Sequence, residues 1–306
     1  MITIAQLLSA ALSSIPYFEV GVEHAQPQAS RRRASVTNRI LMGRARVSAL
    51  RHGDLMYYVG VDLAWGQNKI TGLAVIDAAG ELLAATQRKT DDEILDWLTP
   101  WTAGPCLVAI DAPIIVTNPT GNRPCESLVN RHFGRYNASC HSANLAKPHF
   151  ANGTRALRLA DQLGLAVDPQ VRSDRRAVEV YPHPAIVVLF DLPKILQYKH
   201  KPRRDLEHLR RELIRLLNYL EGLDTASPPL RLRDSTDWQR IRLATEQAVR
   251  KADLGRVEDS IDAVVCAYIA AYSEANPTAV RVMGDIETGY ILTPVTPDIA
   301  RAFDST

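Results

Sequence analysis

The sequence predicts an α/β fold: a mixed sheet, three antiparallel strands then parallel strands, flanked by helices. Three short β-branched and aromatic segments follow one another from Tyr57 with turn residues between them. Two further apolar segments, CLVAID and AVEVY, are short enough for strands buried on both faces. Helical periodicity separates or follows these segments, an order that gives a sheet covered by helices.

The first strand is YYVGVDLAW, the second ITGLAVID after a Gly-Gln-Asn-Lys turn, and the third ELLAATQR after Ala-Ala-Gly. Residues 91–101 have helical spacing at Ile94, Leu95 and Leu98, with Thr90 or Asp91 as N-cap, and Pro105 marks the connection onward. The strand CLVAID closes on Asp111. Residues 112–176 read as a loop-rich insertion, with Pro113, Pro119, Gly121, Pro124 and a polar RYNASCHSAN stretch, and loops of such length are usually functional. After AVEVY, helices are expected over residues 184–190, 204–223, 237–251 and 258–272, and AVRVMGD with TGYILTPV forms a terminal hairpin.

Length sets the domain organisation. A chain of 306 residues holds one main domain, residues 56–306, with the insertion inside it. Residues 1–55 read as a poorly ordered basic extension. Residues 1–56 carry seven Arg and three acids, or +4, so with a total of +2 the remainder carries 2 − 4 = −2. Any basic surface on the main domain is therefore local. Four cysteines are too sparse for a disulfide framework, and the spacing of Cys125, His132, Cys140 and His141 matches no zinc pattern, which places the chain in a reducing, cytoplasmic setting. No apolar run approaches the ~20 residues that span a bilayer, so no membrane partner is expected.

The acids point to chemistry. Asp62 lies near the carboxyl end of the first strand and Asp111 ends the fourth, and ligands of open α/β sheets collect outside the carboxyl ends of parallel strands. Taken alone, Asp62 reads equally well as a turn or cap residue. Two converging carboxylates repel unless a proton or a cation lies between them. Glu179 interrupts an apolar strand on the face opposite Val178 and Val180, so it faces either solvent at an edge or a polar cavity. Asp262 is the most informative acid. Its neighbours on one helical face are Val265, Cys266 and Ile269, and a carboxylate on an apolar stripe must be protonated, paired or metal-bound. Glu258 and Asp259 fit a first helical turn, where acids complement the dipole.

The motifs GVDLAWG, AIDAP, GNRPCE, VEVYPHP, the Lys199 and Lys201 region, DSIDAVVCAY and GYILTP, in that order from about Tyr57 to Pro294, resemble the family of predicted nucleases with an RNase H-like fold known as domain of unknown function 429. The resemblance implies that Asp62, Asp111, Glu179 and Asp262 are catalytic metal-binding acids, and that Arg123, Glu126 and Lys199 contact substrate or support the site. It omits residues 1–55.

Such a site hydrolyses phosphodiesters with two ions bridged by a carboxylate, for which Asp62 is the expected bridge. Asp111 and Glu179 would serve one ion and Asp262 the other. Oxygen ligands select Mg²⁺ or Mn²⁺. The basic run of Lys199, Lys201, Arg203, Arg204, Arg210, Arg211 and Arg215 either tracks a nucleic-acid backbone, with Tyr198 stacking a base, or is a solvated helix laced with pairs such as Glu207 and Arg211. His183, within Tyr-Pro-His-Pro, is either a proton donor near the metals or part of a proline-marked helix entry. The expected function is metal-dependent hydrolysis of nucleic acid. The alternatives are a non-catalytic nucleic-acid-binding module and a nucleotide phosphohydrolase or phosphotransferase on a related fold. No phosphate-binding glycine motif follows any strand, which disfavours P-loop and dinucleotide chemistry.

Overall fold

The computed structural model describes residues 56–67 and 69–305. The extension expected over residues 1–55 lies outside the described residues.

Strands β1 (Tyr57–Asp62), β2 (Thr71–Asp77) and β3 (Leu82–Arg88) form the antiparallel meander, and β4 (Cys106–Ile110) and β5 (Arg175–Glu179) join it in parallel. The sheet order is β3-β2-β1-β4-β5. Hairpin β6 (Val280–Asp285) and β7 (Gly289–Pro294) forms a separate two-stranded sheet, joined to the main one by a bridge between Val180 and Leu292. The mixed sheet and the hairpin both match the expectation from sequence.

Helix α1 (Asp91–Thr102) starts with a reciprocal cap between Thr90 and Glu93. The segment expected to be loop-rich contains two helices, α2 (Pro124–Phe133) and α3 (Arg155–Gln162). Pro124 starts α2 rather than marking a loop, because the first helical position needs no N–H. Helix α4 (Pro182–Leu189) also begins on a proline. Helices α5 (Leu206–Glu221) and α6 (Thr236–Glu246) follow, and α8 (Pro297–Asp304) was not anticipated. Helix α7 (Lys251–Ala275) begins seven residues before the expected Glu258, and Ser260 to Ala271 are all buried within it. A helix apolar on every side belongs in the interior. Among the described residues, no helix is long and apolar enough to cross a membrane.

The sheet separates two cores. On one face Ala74, Ile76, Leu107, Ala109 and Val178 pack with α7. On the other, Val59, Val61, Val108 and Ile110 meet Ile94 and Leu98 of α1 and Leu159 of α3. Two glycines bring α7 onto the strands. A Cβ on Gly60 would lie 1.8 Å from the Ala263 carbonyl oxygen, and one on Gly72 would lie 1.8 Å from that of Asp259. This backbone-to-backbone contact sets the depth of everything α7 carries.

Candidate functional site

Asp62 ends β1 opposite Gly72, and Asp111 follows β4 with its N–H donating to the Val61 carbonyl at 2.8 Å. The two acids are therefore neighbours across a parallel pair. Strand alternation gives Asp62 the same face as Gly60, the face on which α7 lies. Asp259 stands over Gly72, so Asp262, one helical turn later, is carried to the strand ends with 0% exposure.

Two adjacent residues of the α4–α5 connection grip Asp262. The Tyr198 hydroxyl donates to Oδ1 at 2.7 Å, and the Lys199 ammonium forms an ion pair with Oδ2. Lys199 also reaches Glu258 Oε1 at 3.3 Å. Tyr198 is thus buried as an anchor and offers no exposed ring for a base, contrary to the stacking role expected of it.

The electrostatics are unbalanced. Burial above all drives the Asp62 carboxyl well above the usual range; Lys199 opposes this, and Asp262, Asp111 and Asp259 add to it. Asp111 is pushed up to about 7 by burial, against Lys199 and together with Asp262 and Glu179. Glu258 rises to about 7 and Asp259 to about 6, in each case through burial first. Burial works against the Lys199 ammonium, yet Asp262, Asp62 and Glu258 together raise its pKa well above normal. One ammonium faces five carboxyls, and the excess charge must be met by protons or by another cation.

Glu179 lies beside this group with partners of its own. Val61, Ile110 and Glu179 are level across β1, β4 and β5, so Glu179 shares their face, whereas Asp62 and Asp111 lie one residue further on. Both Glu179 oxygens are engaged. Oε1 receives Arg123 Nη2 at 2.5 Å, and Oε2 receives Arg123 Nη1 at 2.9 Å and the Ile114 N–H at 2.8 Å. Arg123 also donates through Nε to Glu126 Oε1 at 2.9 Å and through Nη1 to the Ile115 carbonyl at 2.9 Å. Glu126 in turn accepts the backbone N–H groups of Arg123 and Ala143. Arg123 and Glu126 are each 1% exposed. Glu179, expected to bind metal, and Arg123 and Glu126, expected to meet substrate, thus form a buried charge network that pins the insertion to the end of β5, and all three also line the cavity that Asp62 and Asp111 line.

A cavity of about 600 Å³ opens over the strand ends, with Asp62, Asp111, Tyr181, His183, Lys199 and Lys201 in its wall. Lys201 is exposed at the rim. Along the basic run, Arg204 donates to the Lys199 carbonyl, Arg210 pairs with Glu207 and Arg215 with Glu212. The helical pair expected between Glu207 and Arg211 is thus made by Arg210 instead. Sequence reasoning under-read Glu258 and Asp259, whose place in a first helical turn vanished once α7 was found to start at Lys251.

The donors suit a hard divalent cation in kind, being carboxylate oxygens with an excess of negative charge. Their present arrangement is not a closed ligand shell: among the described residues, no three His, Cys, Asp or Glu side chains are grouped to hold an ion. Lys199 supplies the positive charge that such an ion would supply. Cys125, His132, Cys140 and His141 form no metal-holding group either.

No curated protein and no solved structure matches the chain. The model of a family described as a protein of unknown function, DUF429, matches residues 60–288, a span that contains the end of β1, the three aspartates, Lys199 and the whole of α7. The chain belongs to the DUF429 family.

Proposed function

We propose that this chain hydrolyses phosphodiester bonds in nucleic acid with Mg²⁺ or Mn²⁺ on an RNase H-like fold. The observation that carries the reading is the grouping of Asp62, Asp111 and the buried Asp262 at the strand ends, the first two in the wall of one cavity, with more negative charge than Lys199 balances. These three aspartates would hold the metal, with Glu258 and Asp259 adding negative charge beside them. A bound divalent ion supplies charge neutralisation at the scissile phosphate and lowers the pKa of a bound water. Lys199 would then leave Asp262 and, with Lys201 at the rim, pair with substrate phosphate. Buried walls exclude bulk water and strengthen each of these interactions.

The test is a cleavage screen over single-stranded, duplex, hybrid and branched nucleic acids and nucleoside triphosphates, with Mg²⁺, Mn²⁺ or EDTA. Metal-dependent product from nucleic acid, lost in Asp62→Asn, supports the proposal. Product from triphosphates alone indicates a nucleotide phosphohydrolase. The Lys199–Asp262 ion pair favours one other reading, a module that binds nucleic acid with Asp262 permanently neutralised. Binding without cleavage under every condition would identify it.

A further inference from the structure

Two stretches of the chain are basic and hold no acid: residues 127–160, inside the insertion, and residues 192–204, between α4 and α5. Together they carry ten lysines and arginines, in a chain that is net acidic outside residues 1–56. The fold joins them. The Ile195 N–H donates to the Tyr136 carbonyl at 2.9 Å. Asn137, Ser139 and His141 of the first stretch and Ile195, His200 and Lys201 of the second line the cavity that Asp62 and Asp111 line. The two stretches thus make one lip of that cavity.

Positive charge is left over on this lip. Among the described residues, the ion pairs of the two stretches join Arg155 to Asp91 and Lys199 to Glu258 and Asp262. Arg135, Lys194 and Lys201 pair with no carboxylate, and all three are exposed. Arg135 and Lys194 each precede one member of the Tyr136–Ile195 bond, and Lys201 is itself a lining residue. On α5 the arginines are answered locally, Arg210 by Glu207 and Arg215 by Glu212. Unpartnered like charges gathered at the mouth of a cleft raise the local concentration of an anion, and a row of them suits a phosphate backbone.

The cavity decides the form of that backbone. At about 600 Å³ it has the size of a small-ligand pocket. A duplex is too wide and stiff to follow one of its phosphates into such a space, whereas an unpaired strand bends a single nucleotide inward. Trp65 stands in the same wall, half-buried, with the Lys147 ammonium 5.3 Å from its ring centroid. Cations interleaved with aromatic side chains are the composition of single-strand grooves. We propose that this lip is a phosphate track for one unpaired nucleic-acid strand, with Arg135, Lys194 and Lys201 neutralising its backbone as it enters the cavity. The proposal rests on the phosphodiesterase reading and names its substrate class.

Binding tests the track without cleavage. Full-length protein in EDTA is titrated into labelled oligodeoxythymidine, a labelled hairpin duplex and phosphatidylserine vesicles over a range of salt. The single strand should bind at least about tenfold more tightly than the duplex. Replacing Arg135, Lys194 and Lys201 together by Gln should weaken single-strand binding about tenfold or more and lower the salt slope by about 2, or roughly 0.7 for each lost phosphate contact. Exchanging the three instead for the other basic residue (Arg135→Lys, Lys194→Arg, Lys201→Arg) should keep both. Arg211→Gln with Arg215→Gln, on α5, should change neither. Each single Gln variant should weaken binding about two- to threefold, which decides the matter if the triple variant does not fold. Wild-type affinity in a folded triple variant, equal binding of duplex and single strand, or binding to vesicles alone overturns the proposal. A chain that binds through this lip but cleaves nothing keeps the track and loses the phosphodiesterase reading; one that cleaves while the triple variant binds normally loses the track alone.

Discussion

Lys199 carries an outsized share of the site's energetics because it is the counter-ion for acids contributed by two strands and a helix. Removing one partner of a buried pair costs more than the pair contributes, since the remaining charge stays desolvated. Lys199→Met should therefore lower metal-free stability by about 2–3 kcal/mol, less than for a fully buried pair because Lys199 keeps 29% side-chain exposure. Millimolar Mg²⁺ should restore much of this loss, and thermal melts with and without EDTA would read both effects. Asp111 gives a pH test. Its carboxyl titrates near 7 in the folded chain, against the ordinary 3.8, through burial first. The folded state thus binds a proton that the unfolded state has released, so this contribution is full below about pH 4 and is lost as pH rises through 7. Asp111→Asn should accordingly gain on wild type between about pH 5 and 8 in EDTA, by about 4–8 °C if 2 kcal/mol of the contribution is realised. A constant difference in melting temperature across that range would show that Asp111 is ionised throughout. Asp262 was legible as an acid that needed a partner, because it interrupts an apolar stripe. Its partners were not, since Tyr198 and Lys199 lie more than sixty residues away and no local pattern encodes that pairing.

At the scale of elements, the packing of α7 on β1 and β2 positions the site, and Gly60 and Gly72 make that packing possible. Gly60→Ala must move helix backbone rather than a flexible side chain, and should destabilise by about 3 kcal/mol or more, near the upper end of overpacking costs. Gly255, within the same helix, has nothing within 4 Å of a built Cβ. Gly255→Ala should instead stabilise by about 0.5–1 kcal/mol through helix propensity. Denaturant midpoints of the two variants would separate contact from propensity; equal effects would refute the argument. Strands were legible because alternation and β-branching are local signals. Helix α2 was harder, since Pro124 reads as a loop residue until it is seen to occupy a first helical position, whereas the prolines of α4 were legible as a helix entry. Glu179 was legible as a charge inside an apolar strand, but its pairing with Arg123, 56 residues away, was not, and its one-residue offset from Asp62 and Asp111 is a property of strand register across β4 and β5.

For the molecule as a whole, the DUF429 match spans residues 60–288, and among the described residues the β1–β5 sheet and its covering helices all lie after Met56. A chain starting at Met56 should therefore fold, melt within a few degrees of the full-length protein and keep its metal affinity; a large loss would assign a structural part to residues 1–55. The central claim is that Asp62, Asp111 and Asp262 together take up a divalent cation in exchange for the charge that Lys199 now supplies. Calorimetric titration of Mn²⁺ into the metal-free protein tests it most directly, using wild type, Asp62→Asn and Lys199→Met side by side. The account predicts binding to wild type, loss of that binding in Asp62→Asn, and tighter binding in Lys199→Met, where no ammonium competes. Equal Mn²⁺ binding by wild type and Asp62→Asn, or none by either wild type or Lys199→Met, would contradict it.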